Sequence, residues 1–394
     1  MAYPVQTRLF SVIISCWLAI SGFTQTGGVE FLDATHYFKF GESLVFQVKV
    51  QSDTPVDEIF LFIQPEEEET RVVKVQVNSA GEVVYEYDVL NNPIRPFSKI
   101  NYWYRVSENQ GTAGESDVFS FNYDDNRFEW QELKDDRFVV HWTEGDLTFG
   151  QTLINIAHDG LKSAQSYLPV EISDSIKIYV YPQYQDLQTA LQFTTHQEAA
   201  GHASPVSNLI LITAPTSPGQ ILELERQIPH ELTHILQYQL TGSNYTRIPL
   251  WLLEGSASLA EIYPNSDYQR VLDQAVENNA LFPIVMLCSP FPQDTSGAFL
   301  AYAQSESFTR YIFQRFGASG IKEIFKAYSD GLSCEEGAKT ALGVTLSNLE
   351  KGWQQNTLGM NKIIAGLGNL APYLALFLLA LLPFALSAFL RNKP

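Results

Sequence analysis

The chain has 394 residues, enough for two domains with accessory segments. Its composition, 45% apolar and 13% aromatic, excludes a disordered protein. A formal charge of −19 excludes nucleic acid as a partner, because a phosphate backbone requires a basic surface.

At the N-terminus Arg8 precedes the uncharged run Leu9–Ile20 (LFSVIISCWLAI), which is short for a bilayer span. Ala19 and Ser21 supply the small residues of a cleavage site, so residues 1–21 read as a secretory signal peptide. An uncleaved anchor is the alternative. Cys16 makes a poor lipoprotein box, since the apolar run continues past it.

From Gly28 to Tyr123 the pattern alternates and is rich in β-branched and aromatic residues. Strands are expected at Ser43–Val50, Ile59–Ile63, Val72–Val77, Glu82–Tyr87, Ile100–Val106 and Val118–Tyr123, with turns at Ser79-Ala80-Gly81 and Glu108-Asn109-Gln110-Gly111. Short strands at this spacing predict a β-sandwich over 28–123, immunoglobulin or fibronectin-like. It carries no cluster that looks chemical, and reads as a spacer or binding module.

Asp124–Asp136 (DDNRFEWQELKDD) is charged and irregular and reads as a linker. A second domain is expected over 137–360. Its strands are Arg137–Trp142, Ile176–Tyr181 and Asn208–Thr213, with helices at Phe149–Tyr167 and Asp186–Phe193. Helices then dominate: Gln220–Leu240, Leu250–Ile262, Gln269–Asn278, Ala298–Phe316, Gly320–Tyr328 and Leu346–Asn356. The order predicts an α+β class.

Leu370–Leu390 carries no charge and as a helix would be about 31 Å long, enough for the hydrocarbon core. Arg391 and Lys393 follow, as in a stop-transfer segment with a cytoplasmic tail at 391–394. The expectation is a single-pass protein of the cell membrane, contacting the lipid bilayer through this helix, with its domains outside the cytoplasm. Cys288 and Cys334 could pair in that compartment or remain buried thiols.

The chemistry is concentrated in Pro229–Gln239 (PHELTHILQYQ). Leu232, Ile235, Leu236 and Leu240 form a core-facing helical stripe, and Pro229 marks a first turn or a kink. His230 and His234, four apart, share a helix face, so their imidazoles can hold one metal ion. Glu231 stands beside them, within reach of a water at that ion. Glu254 follows His234 by twenty residues, in Pro249-Leu250-Trp251-Leu252-Leu253-Glu254-Gly255-Ser256-Ala257. A turn through Thr241–Arg247 would bring it across from the histidines as the third ligand of a His₂Glu zinc site. The small residues after it would let the second helix pack close to the first. The bland reading of Glu254 is an exposed carboxylate at a helix start.

HELTH followed by PLWLLEGSASLAE resembles the gluzincin metallopeptidases, in particular the peptidase MA-like group. The resemblance extends from about Asp124 to Asn356, through YDDNRFEW, HWTEGD and AYAQS, and is specific only at the zinc motifs. It implies one Zn²⁺, peptide or protein substrates, and catalysis with Glu231 as general base. Glu261, seven residues after Glu254, shares a helix face with it, and the resemblance implies that it orients a ligand histidine; an exposed Glu261, or Glu261 as the ligand in place of Glu254, are the alternatives. The resemblance also implies that Tyr302 donates to the developing oxyanion, with a core tyrosine as the alternative. The strand containing Asn208–Thr213 is similar to the edge strand along which gluzincins bind extended peptides, and His202 precedes it. His158 and His196 read as surface or packing residues. Manganese or cobalt could fill the same ligand set. No motif grips a substrate N-terminus, which leans toward an endopeptidase. The competing reading, from another class, is a surface binding or scaffold protein whose metallopeptidase-like domain is silent. The intact Glu231 opposes it, since a structural metal site needs ligands but no base.

Overall fold

The computed structural model describes residues 28–359, apart from 53–55, 57, 109–110 and 192–200, together with short helical pieces between 372 and 379. The expected signal peptide, His196, the tail at 391–394 and most of 370–390 lie outside the described residues. Among those residues no helix is long and apolar enough to cross a membrane. The chain divides into two compact units, Met1–Asp124 and Asp125–Pro394.

Among its described residues the first unit is built of β-strands. Its strands are β1 (Glu30–Lys39), β2 (Ser43–Gln51), β3 (Glu58–Pro65), β4 (Arg71–Val75), β5 (Glu82–Tyr87), β6 (Lys99–Glu108), β7 (Gly111–Glu115) and β8 (Phe119–Asn122). One antiparallel sheet has the order β1-β2-β5; the other runs β4-β3-β6-β7, with β8 also on β6. Alternation decides the inner faces: Leu44, Phe46 and Val48 of β2 are buried, as are Ile59, Leu61 and Ile63 of β3. Across the interface Phe46 meets Tyr102 at 4.9 Å and His36 stacks on Phe121 at 3.9 Å, so the sheets form a sandwich. Two strands escape the alternation rule. The pairing of β1 shifts register between Leu32 and Thr35, which breaks its period of two. In β7 the sequence GTAGE has no apolar alternation and joins the sheet by backbone bonds to β6.

The second unit holds one mixed sheet and a helical half. Its strands are β9 (Gln131–Lys134), β10 (Phe138–Trp142), β11 (Ile176–Tyr181), β12 (Gly201–Ser204) and β13 (Leu209–Thr213), in the order β12-β13-β11-β10-β9. The three inner strands are parallel to one another, and both edge strands run antiparallel to their neighbours. Every residue of β13 is buried, as an inner strand covered on both faces requires. The edge strand is therefore β12, and the Asn208–Thr213 segment is interior.

The helices are α1 (Leu147–Tyr167), α2 (Tyr184–Leu191), α3 (Gln220–Thr241), α4 (Leu250–Ala260), α5 (Asp267–Glu277), α6 (Thr295–Ser329), α7 (Cys334–Leu342) and α8 (Leu346–Asn356). Asp146 caps α1 by accepting from the backbone N–H groups of Thr148 and Phe149. Pro229 lies in the interior of α3, not at its first turn, and packs on Gly160 of α1, where a Cβ would stand 2.9 Å from its ring. Gly255 admits a close crossing of α4 over α6 rather than α3: a Cβ there would meet Thr309 Oγ1 at 2.2 Å. Gly317, with φ of 68°, interrupts α6, which is thus two helices joined across a kink.

The stretch read as a linker, 124–136, belongs in large part to this second unit. Asp125 is fully buried and accepts from Tyr181 Oη at 2.9 Å and Arg127 Nε at 2.8 Å, while β9 pairs with β10. Its charges face one another, which composition alone does not reveal. His158 bonds Asp135 at 2.6 Å on the surface.

Cys288, which ends a 3₁₀ turn at Ile284–Cys288, is disulfide-bonded to Cys334 at the start of α7. The bond closes a loop of 46 residues, for which chain entropy gives about 4 kcal/mol. Reduction is expected to lower the unfolding free energy of the second unit by about 2–4 kcal/mol, measured by urea denaturation with and without reductant.

His141 of β10 lies flat on Tyr179 at 4.1 Å, and burial there brings its pKa from 6.5 down to about 4. The unfolded chain binds this proton more readily, so stability falls as pH drops from 6.5 toward 4, by up to about 3 kcal/mol. Urea midpoints across this range should show the slope in the wild type and lose it in His141→Phe. Parallel profiles would exclude the assignment.

Candidate metal centre

The centre is assembled by two helices and the link between them. On α3, His230 and His234 stand one turn apart, with ring centroids 5.1 Å from each other. A 3₁₀ stretch, Gly242–Arg247, reverses the chain and leads into α4. This sets Glu254 Oε2 at 3.3 Å from His230 Nε2 and 3.9 Å from His234 Nε2. One donor atom from each of the three residues lies within 4.8 Å of the others.

Each imidazole is oriented from behind. His230 Nδ1 lies 3.1 Å from Glu261 Oε1, a carboxylate oxygen that can only accept, so Nδ1 carries the proton. His234 Nδ1 lies 2.9 Å from Gln237 Oε1, whose amide nitrogen is engaged elsewhere, and it donates likewise. Both rings therefore turn Nε2 toward Glu254. Glu261 does not ride on the face of α4, because that helix ends at Ala260; it is the residue just beyond, in extended backbone.

Glu231 is buried on α3, and its carboxylate accepts from the backbone N–H of Ala203 on β12. A Cβ on Gly201 would stand 2.7 Å from Glu231 Oε1, so glycine is what lets the carboxylate lie against that strand. Burial raises the Glu231 pKa, and Glu254 adds to the rise while His234 and His230 oppose it. For His230, burial disfavours charge, but the hydrogen bonds to Glu254 and Glu261 outweigh it and the pKa rises well above 6.5. The cluster favours a positive charge at its centre.

These residues open onto a cleft of about 600 Å³, within the size range of ligand sites. Its walls include His202 and Ala203 of β12, Arg226 of α3, Tyr245, Tyr268 and Tyr302. Tyr302, on α6, packs edge-on to Phe291 at 5.2 Å, and its hydroxyl pKa is raised first by the charge of Glu254 and then by burial. Tyr245 Oη is 3.2 Å from His234 Nδ1. Sequence reasoning brought His230, Glu231, His234, Glu254, Glu261 and Tyr302 together, and the structure places all six at one cleft. It missed Gln237, Tyr245 and Arg226. Gln237 was detectable in principle, as a polar residue following Ile235 and Leu236 one turn beyond His234.

Residues 156–359, from within α1 to beyond α8, match the profile of the Peptidase MA superfamily. The chain belongs to that superfamily. No curated protein matches it. Among solved structures, an M1 zinc metallopeptidase from Deinococcus radiodurans is 11% identical, with 83% of this chain and 94% of that one covered and a TM-score of 0.37. A two-domain M1 zinc metallopeptidase mutant bound to L-arginine gives 12% identity, 83% and 94% coverage and a TM-score of 0.39. A family 56 carbohydrate-binding module, a β-1,3-glucan-binding domain, is 12% identical over 23% of this chain and 98% of its own, with a TM-score of 0.18.

The donor set, two imidazole nitrogens and one carboxylate oxygen, fits a zinc ion. The chain is expected to bind one zinc, lost in His234→Ala and Glu254→Ala. In Glu261→Gln affinity should fall about 10- to 100-fold, read by chelator competition.

Proposed function

We propose that this peptidase MA protein is a zinc-dependent peptidase, held at a membrane with its two units outside the cytoplasm. The observation that carries the catalytic reading is Glu231. It is a buried carboxylate, not among the three clustered donors, and it is fixed by Ala203 at the edge of the same cleft. A binding module with a structural metal would have no use for it.

Zinc at this site would supply Lewis acidity and make water nucleophilic near neutral pH. Glu231 accepts the proton of the water whose oxygen attacks the scissile carbonyl carbon. Its pKa, raised by burial, suits it to hold that proton and pass it to the amide nitrogen as the C–N bond breaks. Tyr302 keeps its phenolic proton, because Glu254 and burial both disfavour the phenolate, and donates to the carbonyl oxygen as charge develops. The edge strand β12, beside this cleft, offers an extended substrate backbone a partner. Glu261 acts on His230 from behind, holding the ring that Glu254 faces.

The extracytoplasmic placement rests on the sequence of residues 1–21 and 370–390. It is supported by the Cys288–Cys334 disulfide, which suits an oxidising compartment. The described pieces of 370–390 are helical.

Glu231→Gln should keep zinc and lower hydrolysis of a quenched peptide library by about 10²–10⁴-fold. Tyr302→Phe should cost about 10²–10³ in kcat with little change in KM. Zinc-loaded Glu231→Gln protein that cleaves as fast as the wild type would sink the peptidase reading.

A further inference from the structure

Gln237 is fully buried, yet each end of its amide is used. Its oxygen accepts from His234 Nδ1 at 2.9 Å. Its nitrogen donates to Leu253 O at 2.8 Å and to Ser256 Oγ at 3.0 Å, both on α4. Ser256 is free to accept because its own hydroxyl proton goes to Leu252 O at 2.6 Å. Leu253 is the residue before Glu254, and Ser256 lies two beyond it. One amide thus ties the second histidine to the turn of α4 that carries the third donor.

We propose that Gln237 is a positioning residue of the metal centre, holding His234 with Nε2 toward the cluster and clamping α4 so that Glu254 meets it. The inference rests on the zinc-site reading above. A buried primary amide is suited to both tasks, because it alone among uncharged side chains presents an acceptor and two donors on one rigid plane. A carboxylate would satisfy the histidine but face the Leu253 carbonyl with no proton. Tyr245 Oη also lies near His234 Nδ1, at 3.2 Å, and is the more distant of the two partners.

The test uses the full chain in detergent, with zinc as the probe and ¹⁵N-labelled histidine. Zinc affinity is read by chelator competition, the tautomer of the neutral His234 ring by ¹⁵N shift, and metal-free stability by thermal unfolding. Gln237→Leu should weaken zinc about 10- to 100-fold and leave His234 in mixed tautomers. Gln237→Glu should restore the single tautomer and recover the affinity only in part, the remainder measuring the clamp on α4. If both variants lose metal-free stability but keep wild-type zinc affinity, Gln237 is only a bridge between helices and the proposal is overturned. A wild type that binds no zinc overturns it together with the site. Zinc bound without hydrolysis defeats the peptidase reading alone, and the affinity ratio still decides the role of Gln237.

Discussion

Three carboxylates, Glu231, Glu254 and Glu261, share a cleft with two imidazoles, and burial makes each of their charges costly unless a neighbour offsets it. The arrangement around His230 shows the outcome. Its ring is enclosed, which alone would keep it neutral, yet the two carboxylates bonded to it prevail. A divalent cation among Nε2 of His230, Nε2 of His234 and Oε2 of Glu254 would answer the same demand with better geometry, because it needs lone pairs from all three at once. Much of the second unit can be understood as keeping those lone pairs pointed inward.

The supporting structure works at two distances. Close by, Glu261 and Gln237 fix the ring orientations, and Ala203 fixes Glu231. Farther out, small residues set how near the helices come. Gly160 seats Pro229 of α3 on α1, and Gly255 lets α4 settle on α6 beside Ser305 and Thr309. Because α6 also carries Tyr302, the crossing at Gly255 sets the distance between Glu254 and the hydroxyl across the cleft. The parallel strands β10, β11 and β13 give this half its fixed base, with β12 added at the edge where Glu231 needs a donor.

The histidines and Glu231 were legible because their relation is local: four residues on a helix fix a face whatever the rest of the chain does. Glu254 was legible as a second motif at a turn's distance. Glu261 reads from sequence either as a helix-face partner of Glu254 or as a solvent-exposed carboxylate; it does meet His230, but from the residue just past the end of α4 rather than from its face. The bonds of Gln237 to α4 and of Tyr245, in the 3₁₀ link, to His234 are relations no periodicity carries. The same division holds for the elements. Strongly patterned strands and helices were placed within a few residues. By contrast β12 (GHAS) and β7 (GTAGE) have too little apolar contrast to register. Helix α7 did leave a signal, since Ser333 and Glu336 form a capping box, but its short polar sequence hid the periodicity.

The disulfide has a consequence for any peptidase that cuts this chain. Between Cys288 and Cys334 lie the loop before α6, the whole of α6 and Tyr302. A single cut anywhere in that stretch yields two fragments that remain covalently joined, with the wall of the cleft still packed on α4. Damage there is retained within one molecule instead of being lost from it, and under reducing conditions the same cut would release the C-terminal fragment.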